Sequence, residues 1–218
     1  MGPVEIWTTG IAHPQIAPRA AERAEAAGWD GMFVVDSQNL SGDPFVALTL
    51  ATGVTDRLKL GTGVTNTSTR HPAATAAAIA SVHVASGGRA VLGVGRGDSA
   101  LAHVGFAPAP VRELEAFIKA VRAYLQGESV PFEDLTGFAH AGTRPLDSLG
   151  LADAPKDSRL HWLPRELDPV PVEVAASGPK VLAAARHADR VLLAVGADPE
   201  RVAWARDLAA APATGTFV

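Results

Sequence analysis

The sequence predicts an α/β fold: short β-branched or apolar runs recur along it, a turn closes each run, and Ala-rich stretches with helical periodicity follow. With 218 residues, 47% of them hydrophobic, the chain is long enough to bury one substantial core, and residues 1–218 are read as a single domain.

The first run, Val4 to Thr9, leads into a helix from Pro14 to Ala27 that Gly28 ends. The second, Met32 to Val35, closes on Asp36, and a helix begins near Asp43, whose carboxylate can cap the first turn while Pro44 fills its first position. Leu58 to Val64 is the third. His71-Pro72 then opens a helix to about Ser86, rich in alanine and stopped by Gly87-Gly88. Ala90 to Val94 is the fourth strand and Val111 to Leu125 its helix, with Glu113, Glu115, Lys119 and Arg122 on a solvated face. Residues 127–168, rich in Pro, Gly and Asp, break the rhythm and read as an inserted hairpin and loop. Order resumes with a fifth strand at Val172 to Ala175, a helix from Pro179 to His187, a sixth strand at Arg190 to Val195 and a helix from Pro199 to about Ala210. The tail from Ala211 is too short for another full unit.

That makes about six strand–helix units, where a complete eight-fold barrel takes roughly 250 residues. The expectation is a TIM-barrel-like but incomplete barrel, its exposed edges covered in a homodimer that buries Val202 and Trp204. An open doubly wound sheet is the alternative, and a reversal of strand order at a switch point would mark it.

The formal net charge of -4 leaves no basic surplus to neutralise a phosphate backbone, so a small-molecule partner is expected and nucleic acid is not. The chain has no cysteine, which excludes disulfides and thiolate metal sites and agrees with a reducing compartment. No segment approaches the roughly 18 apolar residues of a membrane span, and the start lacks the basic and apolar regions of a secretory signal. A cytoplasmic location is expected, with no membrane partner. No His or carboxylate cluster has metal-binding spacing.

Ligands of βα folds gather at the carboxyl ends of the strands, so the residues there are the candidates. The third strand runs into Gly61 to Pro72, the fourth into Gly93 to Ser99, the fifth into Ala175-Ala176-Ser177-Gly178-Pro179 and the sixth into Val195-Gly196-Ala197-Asp198-Pro199. Glycines there admit a flat ring or a phosphate to the backbone, although each could equally be only a turn. Gly93-Val94-Gly95 is not the dinucleotide fingerprint, because Asp98 stands where its third glycine belongs.

The Gly61–Pro72 string, with its G-T-G-V-T-N and T-R-H-P portions, resembles the end of the third strand in luciferase-like monooxygenases, especially the deazaflavin branch that uses coenzyme F420. Gly93 to Ser99, Val130-Pro131-Phe132 and Ala175 to Pro179 follow in that branch's order, and the likeness runs from Val4 to about Ala210 without the family's last two units.

The resemblance implies a non-prolyl cis peptide at Gly63-Val64, followed by Thr65, behind the cofactor ring. It sets Asp36 near the ring, where a cap or turn role is the plain alternative, and Ser37 where some relatives carry a catalytic His. Arg96 falls where sugar-phosphate dehydrogenase relatives have a carboxylate, and is expected to bind phosphate or substrate unless it pairs with Asp98. Ser177-Gly178 and Gly196-Ala197 match the family's cofactor-phosphate site. Asp36 and Arg96 are the catalytic candidates; His71 is read as a helix cap and His13 as a loop residue. The implied activity is that of a flavin or deazaflavin oxidoreductase passing a hydride to or from a small organic substrate, with F420 the cofactor and FMN the alternative. A non-catalytic flavin-binding or dimerising homologue is the competing reading.

Overall fold

The computed structural model describes residues 4–216; the opening Met1-Gly2-Pro3, part of the start read for a signal, lies outside them. The first three units are β1 (Trp7–Gly10), α1 (Ala17–Ala26), β2 (Gly31–Val34), α2 (Pro44–Thr52), β3 (Lys59–Thr62), a two-residue β4 (Thr65–Asn66) and α3 (Pro72–Ala85). The fourth holds β5 (Ala90–Gly95), α4 (Asp98–Ala102) and α5 (Val111–Leu125), and the insertion carries α6 (Phe132–Leu135). The rest is β6 (Val172–Ala176), α7 (Pro179–Ala184), β7 (Arg190–Leu193), α8 (Pro199–Ala209) and β8 (Ala213–Thr216).

All named strands are parallel, in the order β1-β2-β3-β5-β6-β7-β8 with β4 beside β5. The order never reverses, so the doubly wound alternative fails on its own criterion. The sheet curls instead. Arg190 on β7 holds Glu173 on β6 at 3.1 Å, and it also reaches Glu5, just before β1, at 3.8 Å and lies 5.5 Å from the Trp7 ring centroid. Strands five places apart in a flat sheet could not touch in this way.

The helices form the outer layer, each packed on its neighbour: α1 on α2, α2 on α3, α3 on α5, α5 on α7 and α7 on α8. Their buried alanines, such as Ala21, Ala47, Ala76 and Ala80, let backbones approach the sheet closely, and Met32, Leu60, Leu92, Val174 and Val191 fill the space between. The inner face differs. Trp7 and Phe33 stack there with centroids 4.3 Å apart. A Cβ at Gly31 would collide with the Trp7 ring, and one at Gly61 would stand 2.9 Å from Phe33 Cδ1, so two glycines make room for two aromatics. Phe33→Ala would empty that interior at a cost of about 3–4 kcal/mol.

In three places the structure departs from the expectations or adds to them. The insertion is no hairpin: Val130 and Ser158 form one isolated antiparallel bridge, with α6 and 3₁₀ turns at Thr136–Phe138 and Leu146–Leu149. Pro131 directly follows the bridged residue and has no N–H to extend a ladder. The tail, although too short for a full unit, does add a strand, since Ala213–Thr216 pairs with Arg190–Leu193. The first helix also starts later, at Ala17, because His13-Pro14 is spent in a turn that the Ala17 N–H closes on the His13 carbonyl at 2.9 Å.

Candidate functional site

At the carboxyl ends of β2, β3, β5 and β6 lies a hollow of about 430 Å³. Gly63, Val64 and Gly95 line it between the rims. The peptide Gly63-Val64 is cis, as the resemblance implied. The Thr62 hydroxyl donates to the Gly93 carbonyl at 2.7 Å and accepts from the Gly93 N–H at 3.0 Å, which locks β3 to β5 directly below. Val64 lies over the glycines of β5: a Cβ at Gly95 would come within 2.7 Å of Val64 Cγ2, and one at Gly93 would strike the Thr62 carbonyl. β4 then pairs Thr65 with Val94 and Asn66 with Gly95. Thr65 is fully buried and lies under the hollow instead of lining it.

Asp36 lines the rim and is 4% exposed. Its carboxylate accepts from Thr65 Oγ1 at 2.6 Å, Gln38 Nε2 at 2.8 Å and the Arg70 guanidinium at 3.0 Å. The cap of α2 is a different acid: Asp43 accepts from the Phe45 and Val46 N–H groups and from Arg70 at 2.6 Å. Arg70 also lies 5.1 Å from the Phe45 ring centroid. The loop that delivers it is shaped by Asn66, whose Oδ1 accepts from the Ser68 and Thr69 N–H groups at 3.0 Å.

Arg96 follows β5 and lines the opposite rim. Its Nε donates to the Ala109 carbonyl at 2.6 Å, which leaves two nitrogens with no protein partner among the described residues. The surface pair with Asp98 does not form; no acid of the described residues lies within ion-pair range of Arg96. Ser177 and Gly178 form the wall beyond β6. Their backbone N–H groups have no partner among the described residues, and a Cβ at Gly178 would meet nothing within 4 Å. Gly196 and Ala197 are exposed after β7 and do not line this hollow, so only one of the two loops expected to hold phosphate borders it.

Ser37 lines the hollow beside Asp36. His71 is the N-cap of α3 and accepts from the Ala73 N–H at 3.2 Å; burial, with His140 nearby, holds its imidazole below the ordinary range. His13 is exposed in its loop, accepting from the Gln15 N–H. Sequence reasoning missed Arg70, Gln38 and Asn66 as the supports of Asp36. Arg70 stood inside the quoted T-R-H-P string, but nothing local points to an acid 34 residues away. Among the described residues no group of three or more His, Cys, Asp or Glu is placed to hold a metal ion, and no helix is long and apolar enough to cross a membrane.

The arrangement can cradle a flat group on a floor of glycines and Val64, present a bound carboxylate on one rim and offer free donors to an anion on the other. Comparison with known proteins points the same way. Two proteins named 5,10-methylenetetrahydromethanopterin reductase are similar to this chain. The one from Methanolobus tindarius is 39% identical over 124 residues, covering 56% of this chain and 38% of its own length. The one from Archaeoglobus fulgidus is 30% identical over 174 residues, 78% of this chain and 46% of its own. The chain thus spans less than half of these relatives.

Among solved structures, the coenzyme F420 dependent tetrahydromethanopterin reductase from Methanopyrus kandleri superposes with a TM-score of 0.73 at 22% identity, over 100% of this chain and 66% of that one. The EDTA monooxygenase from Chelativorans sp. BNC1 gives 0.69 at 17% identity, over 98% of this chain and 64% of that one. Both show the fold, a curled parallel sheet that forms part of a barrel. The family model described as luciferase-like monooxygenase matches residues 4–214, and the chain belongs to that family.

Proposed function

We propose that the hollow binds a flavin-type cofactor, coenzyme F420 with FMN as the alternative, and that the protein positions it for hydride exchange with a small organic substrate. The observation that carries this reading is the small-residue floor at Gly63, Val64 and Gly95 together with the two guanidinium nitrogens of Arg96 that have no partner among the described residues. A volume of about 430 Å³ lies within the range of roughly 300–1,000 Å³ usual for cofactor sites. The group fits the residues present: Val64 is the one side chain beyond glycine on that floor, and Arg96, Ser177 and the Gly178 N–H are free to meet an anion. When bound, the deazaflavin supplies the hydride chemistry.

The chain's own residues bind and orient. Asp36, with three donors on its two oxygens, acts as a fixed acceptor at the ring edge. Arg96 with Ser177 and Gly178 takes phosphate or a substrate anion. For Gly196 and Ala197 to share that task, the ligand must run past the end of β7. F420 is preferred because the reductase from Methanopyrus kandleri, whose name gives coenzyme F420, superposes with a TM-score of 0.73 against 0.69 for the EDTA monooxygenase. A homodimer through α8 completes the proposal; Trp204 is exposed there, whereas Val202, expected to share that interface, is partly buried against the chain's own core.

The test is titration of the purified chain with F420 and with FMN, followed by ligand fluorescence, with sedimentation alongside. F420 should bind, and Arg96→Ala should weaken it about ten- to hundredfold, the worth of a charge-assisted hydrogen bond. Binding of neither ligand would overturn the reading. Binding without hydride exchange would favour the non-catalytic homologue.

A further inference from the structure

A second cavity, of about 790 Å³, lies at the opposite, amino-terminal end of the strands. It is bounded by His83 near the end of α3, by Gly127 just after α5, and by residues 159–170, which lead into β6. These segments precede β5 and β6, whereas the hollow is made by those that follow them.

His83 fixes the back wall. Its Nδ1 accepts from the Ala90 N–H at 3.2 Å, so the ring proton sits on Nε2, which donates to the Asp168 carbonyl at 2.9 Å. The imidazole therefore ties the 159–170 segment to the start of β5. Leu163 and Leu167 give the cavity an apolar side.

Arg159 and Arg165 line the same space. Neither makes an ion pair or side-chain hydrogen bond among the described residues, and Asp168 is the one acid in the lining. The two helix ends do not need them. The His83 carbonyl accepts from the Gly88 N–H and the Ser86 hydroxyl, Val84 from the Gly87 N–H, and Ala123 and Tyr124 from the Glu128 and Gly127 N–H groups. Two free guanidiniums beside an apolar wall, in a chain of net charge -4, have no structural partner to balance.

We infer that this cavity is a binding site for a phosphate monoester carried on an apolar body. Two guanidinium forks suit a dianion, which such a phosphate approaches at neutral pH, and the leucines suit its organic part. The site is independent of the hollow and of any cofactor there.

Calorimetric titration of the whole chain with phenyl phosphate, inorganic phosphate and benzyl alcohol tests it. Phenyl phosphate should bind one to one and more tightly than either of the others. Combined Arg159→Gln and Arg165→Gln should weaken it about tenfold or more while Arg96→Ala leaves it unchanged. Both arginines are exposed, so the variant's melting temperature should stay that of the parent. No binding at millimolar phenyl phosphate, binding indifferent to the double substitution, or binding lost with Arg96→Ala would each overturn the inference, the last by moving the ligand to the hollow.

Discussion

Arg70 and Asp36 form an ion pair of 3.0 Å at the rim of the hollow, with the acid side chain 2% exposed and the guanidinium 23%. The second arm of Arg70 holds Asp43, so one cation serves both the buried rim acid and the cap of α2.

Arg70→Met should therefore destabilise the fold by about 3 kcal/mol, since it leaves a buried carboxylate without its counter-charge. Urea unfolding at neutral pH reads this directly. A loss under about 1 kcal/mol would mean that Thr65 and Gln38 hold Asp36 well enough alone.

Two glycines of the hollow should respond oppositely to alanine. At Gly95 the added methyl meets Val64 Cγ2 at 2.7 Å, which should cost about 1–3 kcal/mol and weaken any ligand on the floor. Gly178→Ala meets open space and should change stability by less than about 0.5 kcal/mol. Thermal unfolding of the two variants side by side decides the matter.

Glu173 should lower stability as the pH rises. It is 1% exposed, its Oε1 has no partner, and burial raises its carboxyl above the ordinary 4.5 although Arg190 opposes and Glu5 adds to the rise. A raised pKa means that the folded chain holds the proton over a window above 4.5 where the unfolded chain has lost it. The contribution is full below that value and disappears as the pH climbs through the folded one. Glu173→Gln should abolish this part of the slope, seen as unfolding free energies at about pH 5 and pH 8 that differ less than the parent's.

His83 should act in the other sense. Burial holds its imidazole below 6.5 against the pull of the Asp168 carbonyl, so its contribution is full above 6.5 and is lost as the pH falls. Protonating Nδ1 must break the bond from the Ala90 N–H. The protection of the Ala90 N–H against hydrogen exchange, relative to its intrinsic rate at each pH, should fall on acidification, and His83→Gln should flatten the accompanying loss of stability. Unchanged protection between about pH 7.5 and 5.5 would remove His83 as the cause.

The sequence made most of the fold legible because βα units write themselves locally: a β-branched run, a cap such as Asp43-Pro44, a stop such as Gly87-Gly88. It was silent where structure depends on distant partners. β4 is two residues long and exists through its pairing with β5, and β8 is a small-residue stretch that pairs because β7 offers an edge. The rim acid Asp36 could be named through the resemblance, while Arg70, its counter-ion, could not be named at all. The second loop, Gly196-Ala197, had the right composition yet stands clear of the hollow, since glycine content does not say how far a strand end leans inward.

Between the rims the hollow is bounded by Gly63, Val64 and Gly95, packed so closely that substitution there disturbs the sheet itself. Asp36 is as constrained, bound to Thr65, Gln38 and Arg70. Ser37, Arg96 and Ser177 carry far fewer ties, so a change of ligand, should the hollow hold one, would come at the least risk to folding through those three.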